Sequence, residues 1–352
     1  ATTEIYTSFP TRRSSDLRGV YERVPVLIRE GSPEENPWGI SFRQGLFNMT
    51  SDSGLFRTRA ELESQGYTLE ANRFKKGAER YLPLYEAKMI HHYDHRWATF
   101  DGADSRDATE AEKADPSFEV LPRYWVSQAE VSSRLQGRWD REWLMGWRDI
   151  CRSTDERTVI SSIIPLVGSG DTLLLMLPKA KEPWLISASL NTFSLDFLGR
   201  QKIGGTHLKY HVFKQLPILP PAAYAAPCPW EPSVGTIADW IKPRVLELVY
   251  TSHSLASFAR DLGYDGPPFA WDPERRFALR CELDAAFFHL YGIARDDADY
   301  IMETFPIVKR KDLDAHGEYR TKRVILERYD EYAAATARNG GVMINFKEKH
   351  HG

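Results

Sequence analysis

Between Arg200 and Lys209 the chain sets Arg200, Gln201, Lys202, Thr206, His207 and Lys209 around the paired glycines Gly204 and Gly205. From Asn191 to Gln215, Arg200, Lys202, Lys209 and Lys214 stand against a single acid, Asp196, a local net of +3. Basic side chains at that density suit a phosphodiester backbone, and glycines let a main chain approach one closely. The same residues also describe a plain surface turn between two helices, and residue types alone leave both readings open. A second charged loop, with Arg148, Arg152, Asp155, Glu156 and Arg157, lies upstream.

Two other clusters invite chemistry. His91, His92, Asp94 and His95 are of the types that ligate zinc or iron. A metal site needs a further convergent ligand, and no other segment has matching spacing, so a hydrogen-bonded structural cluster is the expectation. Gly168-Ser169-Gly170-Asp171 has the look of a nucleotide-binding loop, but it lacks a third glycine and a following helix, so a hairpin turn is expected.

The elements that must carry these loops follow from periodicity. Val20 to Ile28 alternates and is β-branched, which predicts a strand. A short helix near Thr58 to Gln65, a hairpin from Tyr67 to Phe74 and a strand entering a polar turn after Tyr81 come next. Asp101 to Glu119 is strongly acidic and reads as a solvated, mobile loop that would repel DNA. Ser127 suits a helix cap, with Glu130 completing a capping box. Trp139 to Ile150 reads as a buried strand, and Thr158 to Pro165 as a strand paired with Gly168 to Leu177. A helix capped by Asn191 or Thr192 leads into the basic loop, and Pro217, Pro220 and Pro221 end the short helix beyond it.

Ala222 to Ser233, rich in Ala and Pro, reads as a linker. Ile237 to Tyr250, Leu255 to Leu262, Pro273 to Tyr291 and Arg295 to Thr304 then carry apolar residues at helical spacing. Arg276, Arg280, Glu282 and Asp284 are expected on a polar helix face. Beyond them Lys309, Arg310, Lys311, Arg320, Lys322, Arg323 and Arg328 outnumber Asp312, Asp314, Glu318 and Glu327 by three. That run is a solvated face or a phosphate grip. The fold class expected is α+β, a mixed α/β domain followed by a helical C-terminal region.

Composition sets outer bounds. A chain of 352 residues, 42% hydrophobic, has room for two domains. Its net charge of −3 confines any nucleic-acid contact to local patches. Cys151, Cys228 and Cys281 form no Cys-x-x-Cys pair, which argues against a zinc ribbon or disulfide scaffold and for a reducing cytoplasm. No apolar run approaches the roughly 18 residues of a membrane span.

Several blocks together resemble adenine-N6 DNA methyltransferases of the Eco57I-like, type IIG-like combined restriction-modification class. They are Tyr85-Glu-x-Lys-Met-Ile-His91 with Asp94-His-Arg96, Gly146-x-Arg-Asp-Ile150, Arg157-Thr-Val-Ile160 and Asn191-Thr-Phe193. Gly204-Gly-Thr-His207, Gln215-Leu-Pro-x-x-Pro-Pro221 and Asp296 to Val308 follow in order. Asn191-Thr192 stands where Asn-Ser is usual. A looser version of the pattern occurs in type I restriction specificity subunits.

The resemblance covers Arg18 to about Tyr332 and matches the recognition half alone. It implies a junction to a missing N-terminal methyltransferase domain over residues 18–137, a target-recognition core over 138–221, a linker over 222–235, a helical region over 236–340 and a tail over 341–352. It implies double-stranded DNA as partner, with Arg148, Arg152, Arg157, Arg200, Lys202, Thr206, His207 and Lys209 as contact residues. Lysine would steer to phosphate; arginine, Thr206 or His207 would reach base edges. On this reading Lys202→Ala lowers affinity and reduces the salt slope by about 1.

S-adenosylmethionine would be a cofactor of the parent enzyme only. Adenine-N6 transfer needs an Asn/Asp-Pro-Pro-aromatic loop and a glycine-rich cofactor turn. Asn36-Pro37-Trp38 lacks the second proline, and Gly266-Pro-Pro-Phe269 lacks the polar first residue. The expectation is that this chain alone does not methylate DNA. Residues 1–17 match a translated sequencing adapter: Thr11 to Leu17 is encoded by ACACGACGCTCTTCCGATCT, Ser8 to Pro10 by TCTTTCCCT, and Ala1 to Thr7 by GCGACCACCGAGATCTACAC plus one base. The expected start of authentic sequence is therefore near Arg18, with further protein before it. The competing readings are a stand-alone DNA specificity subunit with a separate catalytic partner, and a metal-dependent hydrolase using His91, Asp94 and His95.

Overall fold

A computed structural model gives the fold of residues 14–102 and 104–341. Most of the adapter-like segment and nearly all of the tail lie outside the described residues. The first element is a helix, α1 (Ser14–Arg23), which crosses the expected junction at residue 17. It replaces the strand expected from Val20. Val20 and Val24, one helical turn apart, are both buried, so the helical period overrides the β-branched composition.

The chain continues through β1 (Ser41–Arg43), α2 (Arg59–Ser64), β2 (Thr68–Glu70), β3 (Arg73–Lys76) and β4 (Glu79–Tyr85). Thr58 caps α2 in a capping box with Glu61, and β2 and β3 form the expected hairpin. Next come β5 (Ala98–Asp101), β6 (Asp104–Asp107), α3 (Glu110–Ala114), β7 (Trp125–Ser127) and α4 (Gln128–Leu135). The acidic segment is thus structured, not a mobile loop. β5 and β6 pair, and Lys113 of α3 is buried 2.7 Å from Asp94. The attraction of Lys113 for that buried carboxylate ties the segment down. Ser127 caps α4 by accepting from the Ala129 amide.

β8 (Trp143–Arg148), β9 (Ser161–Pro165), β10 (Gly168–Ser169) and β11 (Leu173–Leu177) build the centre of the fold. One sheet runs β1-β11-β8-β9 and is antiparallel throughout. A second runs β10-β4-β3-β2, with β7 also on β4, and β5-β6 is a third, two-stranded sheet. The expected β9–β11 hairpin is not formed; both strands flank β8. β10 departs to pair in parallel with β4 of the second sheet, which carries the chain across to the far side of β8. Beyond the edge strand β1, the first sheet is buried on both faces. Trp143, Met145, Trp147, Leu174 and Met176 face the larger core, while Leu144, Leu173, Leu175 and Leu177 face the smaller one. Burial on both faces explains why Leu173–Leu177 is apolar without alternation.

The helices α5 (Trp184–Leu190), α6 (Phe193–Lys202), α7 (Tyr210–Phe213) and α8 (Pro221–Tyr224) follow. The last six are α9 (Ile237–Val249), α10 (Ala256–Asp261), α11 (Pro273–Leu290), α12 (Arg295–Glu303), α13 (Pro306–His316) and α14 (Arg320–Arg338). The fold is α+β with a helical C-terminal region. The segment expected to be a linker is packed: Ala223, Tyr224, Cys228 and Trp230 are buried in the larger core, which runs from Val20 to Tyr329. No described helix is long and apolar enough to cross a membrane.

Candidate nucleic-acid interface

β8 ends at Arg148, and the chain turns into a loop that meets the segment after α6. Ile150 and His207 form an antiparallel bridge, flanked by bonds from the Leu208 amide to Asp149 O (2.7 Å) and from the Cys151 amide to Thr206 O (3.1 Å). A bridge flanked in this way is the non-hydrogen-bonded type, which brings the two side chains close together. Beneath it, buried Asp149 accepts from Lys209 Nζ at 2.7 Å and His207 Nδ1 at 2.9 Å. Trp147 donates from Nε1 to Leu208 O, 2.8 Å away, and stacks on Phe213. The two charged loops of the sequence therefore make one ridge. Its outward residues are Ile150, Arg152, Thr206 and His207, and Ile150 is 54% exposed.

Behind the ridge lies an ionic centre. Asp196 of α6 has no exposure; it accepts from Arg157 Nε at 2.7 Å, from Arg200 Nε at 3.2 Å and from the Thr158 amide. Arg157 also donates to Asn191 O and lies over the Phe193 ring. Arg200 donates to Thr158 Oγ1 and to the carbonyls of Asp155 and Glu156. Thr192, not Asn191, caps α6, accepting from the Leu195 amide; Asn191 Oδ1 accepts from the Ser161 amide. The Phe193 amide donates to Asp284 Oδ1 of α11 at 2.7 Å. Burial pushes the Asp284 carboxyl up to about 7, against the opposing pull of Arg157 and the Phe193 amide.

The eight residues expected to contact DNA thus divide. Arg148 is half-buried and donates to Ile90 O at 2.9 Å, and burial brings its guanidinium down to about 10. Arg148, Arg157 and Arg200 all serve the fold, because a buried carboxylate and loop carbonyls need donors that only their forked guanidiniums supply. Lys209 and His207 anchor the ridge through Asp149, and His207 remains half-exposed. Lys202 is half-buried, 4.9 Å from the Tyr21 ring centre, and burial lowers its ammonium. Arg152 and Thr206 face outward.

The glycines also exchange roles. Gly204 and Gly205 border open space, whereas a Cβ on Gly199 would stand 2.7 Å from Val159 Cγ2. Gly199 is the close-approach glycine, set where α6 crosses the segment leading to β9. Ile150 escaped the sequence reading because exposure of a lone isoleucine leaves no periodic signal.

The other candidate groups are internal. His92 Nε2 meets Val159 O at 2.8 Å, and burial holds its imidazole well below the usual range. His95 bonds Ser252 and Ser254, and burial brings it down to about 3. His91 packs on Trp97, and Asp94 pairs with Lys113. Among the described residues no group of three or more His, Cys, Asp or Glu side chains is arranged to hold a metal ion. The three cysteines are free and buried.

On α11, Arg276 and Asp284 are buried instead of lying on a polar face. Arg276 donates to Leu248 O and Tyr93 O, and Glu282 pairs with Arg244 of α9. These groups are inward because α11 is enclosed by α9, α14 and α6, so its polar residues must find partners there. In the basic C-terminal run, Lys309, Lys311, Arg320, Lys322, Arg323 and Arg328 each form an ion pair. Paired in this way they present little net charge to a phosphate.

The two proline-containing loops weighed in the sequence are both committed to the fold. Asn36 closes a turn on Ile40 with both side-chain atoms, Trp38 is buried and donates to Leu219 O, and Phe269 stacks on Tyr264. No protein-family model, no curated protein and no solved structure gives a significant match to the chain.

Proposed function

We propose that this chain is the DNA sequence-recognition portion of a site-specific adenine-N6 DNA methyltransferase of a restriction-modification or phage-defence system. It works in the cytoplasm on double-stranded DNA. Catalysis and S-adenosylmethionine belong to a methyltransferase domain N-terminal to it.

One observation carries the reading. The blocks of the resemblance, far apart in sequence, pack on one another at the end of β8: Arg148 on Ile90, Asp149 on His207, Arg157 on Asn191, His92 on Val159. Residues shared for a common scaffold are expected to meet in this way. They leave Arg152, Thr206 and the Nε2 edge of His207 on a firmly anchored ridge, as a base-reading element requires.

The test is selection of bound duplexes from a random library by the isolated chain. Enrichment of one short motif, with affinity falling steeply as salt rises, is expected. Arg152→Gln lowers affinity and reduces the salt slope by about 1. No enrichment together with no salt-dependent binding overturns the proposal.

A further inference from the structure

At the top of the ridge a hydrogen-bond acceptor and an apolar side chain stand next to each other. The acceptor is His207 Nε2. Buried Asp149 accepts at Oδ2 from Lys209 Nζ at 2.7 Å and from His207 Nδ1 at 2.9 Å. An ionised carboxylate only accepts, so Nδ1 carries a proton. Lys209 on the same oxygen supplies the balancing charge, and the ring meets Asp149 as a neutral donor. The other nitrogen of a neutral imidazole is then an acceptor. Asp149 thus fixes the tautomer, as an outer carboxylate does for a metal-bound histidine. Nε2 makes no hydrogen bond among the described residues, and the side chain is half-exposed.

The apolar neighbour is Ile150. Its bridge to His207 is of the non-hydrogen-bonded type, flanked by the Leu208–Asp149 and Cys151–Thr206 bonds. Such a pair sets its two Cβ atoms on one face, about 4.5–5.5 Å apart. Ile150 is exposed there, so folding leaves its apolar surface unused. In the major groove adenine N6 and cytosine N4 are the amines that can donate to a protein acceptor, and thymine alone adds a methyl group. An A·T pair presents an amine and a methyl on one edge. Guanine presents two acceptors, which would face the Nε2 lone pair with lone pairs of their own.

On the recognition function proposed above, we infer that Ile150 and His207 together read one A·T pair in the major groove. His207 Nε2 accepts from the adenine N6 amine, and Ile150 covers the thymine methyl. Asp149 and Lys209 are positioning residues that hold the imidazole in its accepting form.

The experiment starts from the motif that the full 352-residue chain selects at about pH 8, where a free imidazole is neutral. The selection is repeated with Ile150→Ser and His207→Ala. Both variants are expected to relax the same single position, which is A·T in the parent motif. Synthetic duplexes then carry purine for that adenine, which removes the N6 amine, or uracil for that thymine, which removes the methyl. The parent chain should lose about fivefold in affinity for the first and about threefold for the second. His207→Ala should lose nothing further with purine, and Ile150→Ser nothing further with uracil, because each loss belongs to one contact. A histidine with a purely structural role would weaken every duplex by one factor and leave the purine penalty in place; that result overturns the assignment. Relaxation at a G·C position, or at two separate positions, overturns it as well. The analogues also test the parent chain without any variant: an enriched motif in which neither purine nor uracil is penalised keeps the recognition function and removes the A·T assignment. Absence of any enriched motif removes both.

Discussion

Arg157 Nε stands 2.7 Å from Asp196 Oδ2, and that carboxylate shares its other oxygen with Arg200, shut away from water. The triad joins the segment leading to β9, the helix α6 and, through Asp284 and the Phe193 amide, the helix α11. Removing the acid leaves two nearly buried guanidiniums without a counter-charge. Asp196→Ala is therefore expected to cost about 3–5 kcal/mol, read from urea unfolding. A loss under about 1 kcal/mol would mean that the pairs behave like exposed ones.

Asp284 makes stability depend on pH in an unusual direction. Its folded carboxyl is raised to about 7, above the roughly 3.9 of an unfolded aspartate, so the folded state holds the proton more tightly. The stabilisation is complete below about pH 4 and disappears as pH rises through about 7. Asp284→Asn keeps an acceptor for the Phe193 amide and cannot ionise. Its thermal midpoint should fall less than that of the parent chain between about pH 5 and pH 8. Parallel curves for the two proteins would refute the assignment.

Gly199 and Gly204 should respond oppositely to alanine. At Gly199 the new methyl meets Val159 at 2.7 Å inside the core, and a loss of about 1–3 kcal/mol is expected despite the better helix propensity. Gly204→Ala enters open space without a left-handed backbone, so it should be neutral or gain about 0.4–1 kcal/mol. Differential scanning calorimetry of both variants checks the pair.

Ile150 separates folding from binding. At 54% exposure its replacement by Ser should leave stability within about 0.5 kcal/mol. Apolar side chains on DNA-facing surfaces pack against base edges or wedge between base steps, so the same variant should bind selected duplexes less tightly. Equal affinity for both proteins would take Ile150 out of the interface.

The sequence by itself determined what short-range physics controls. The helix near Thr58, the hairpin after Tyr67, the Ser127 and Thr192 caps and the four helices from Ile237 to Thr304 depend on residues within a turn or two of one another. Tertiary structure alone decided which residues those elements would bring together. That β11 pairs with β8 and not β9 follows from β10 being claimed by the second sheet. Arg148, Arg157 and Arg200 look like a phosphate-binding set in the chain. In the fold they turn inward, because Asp196 and the Ile90 carbonyl are buried and must be hydrogen-bonded. Residue type announces a charge; only the packing around it decides whether that charge meets a partner in the protein or is left for a ligand.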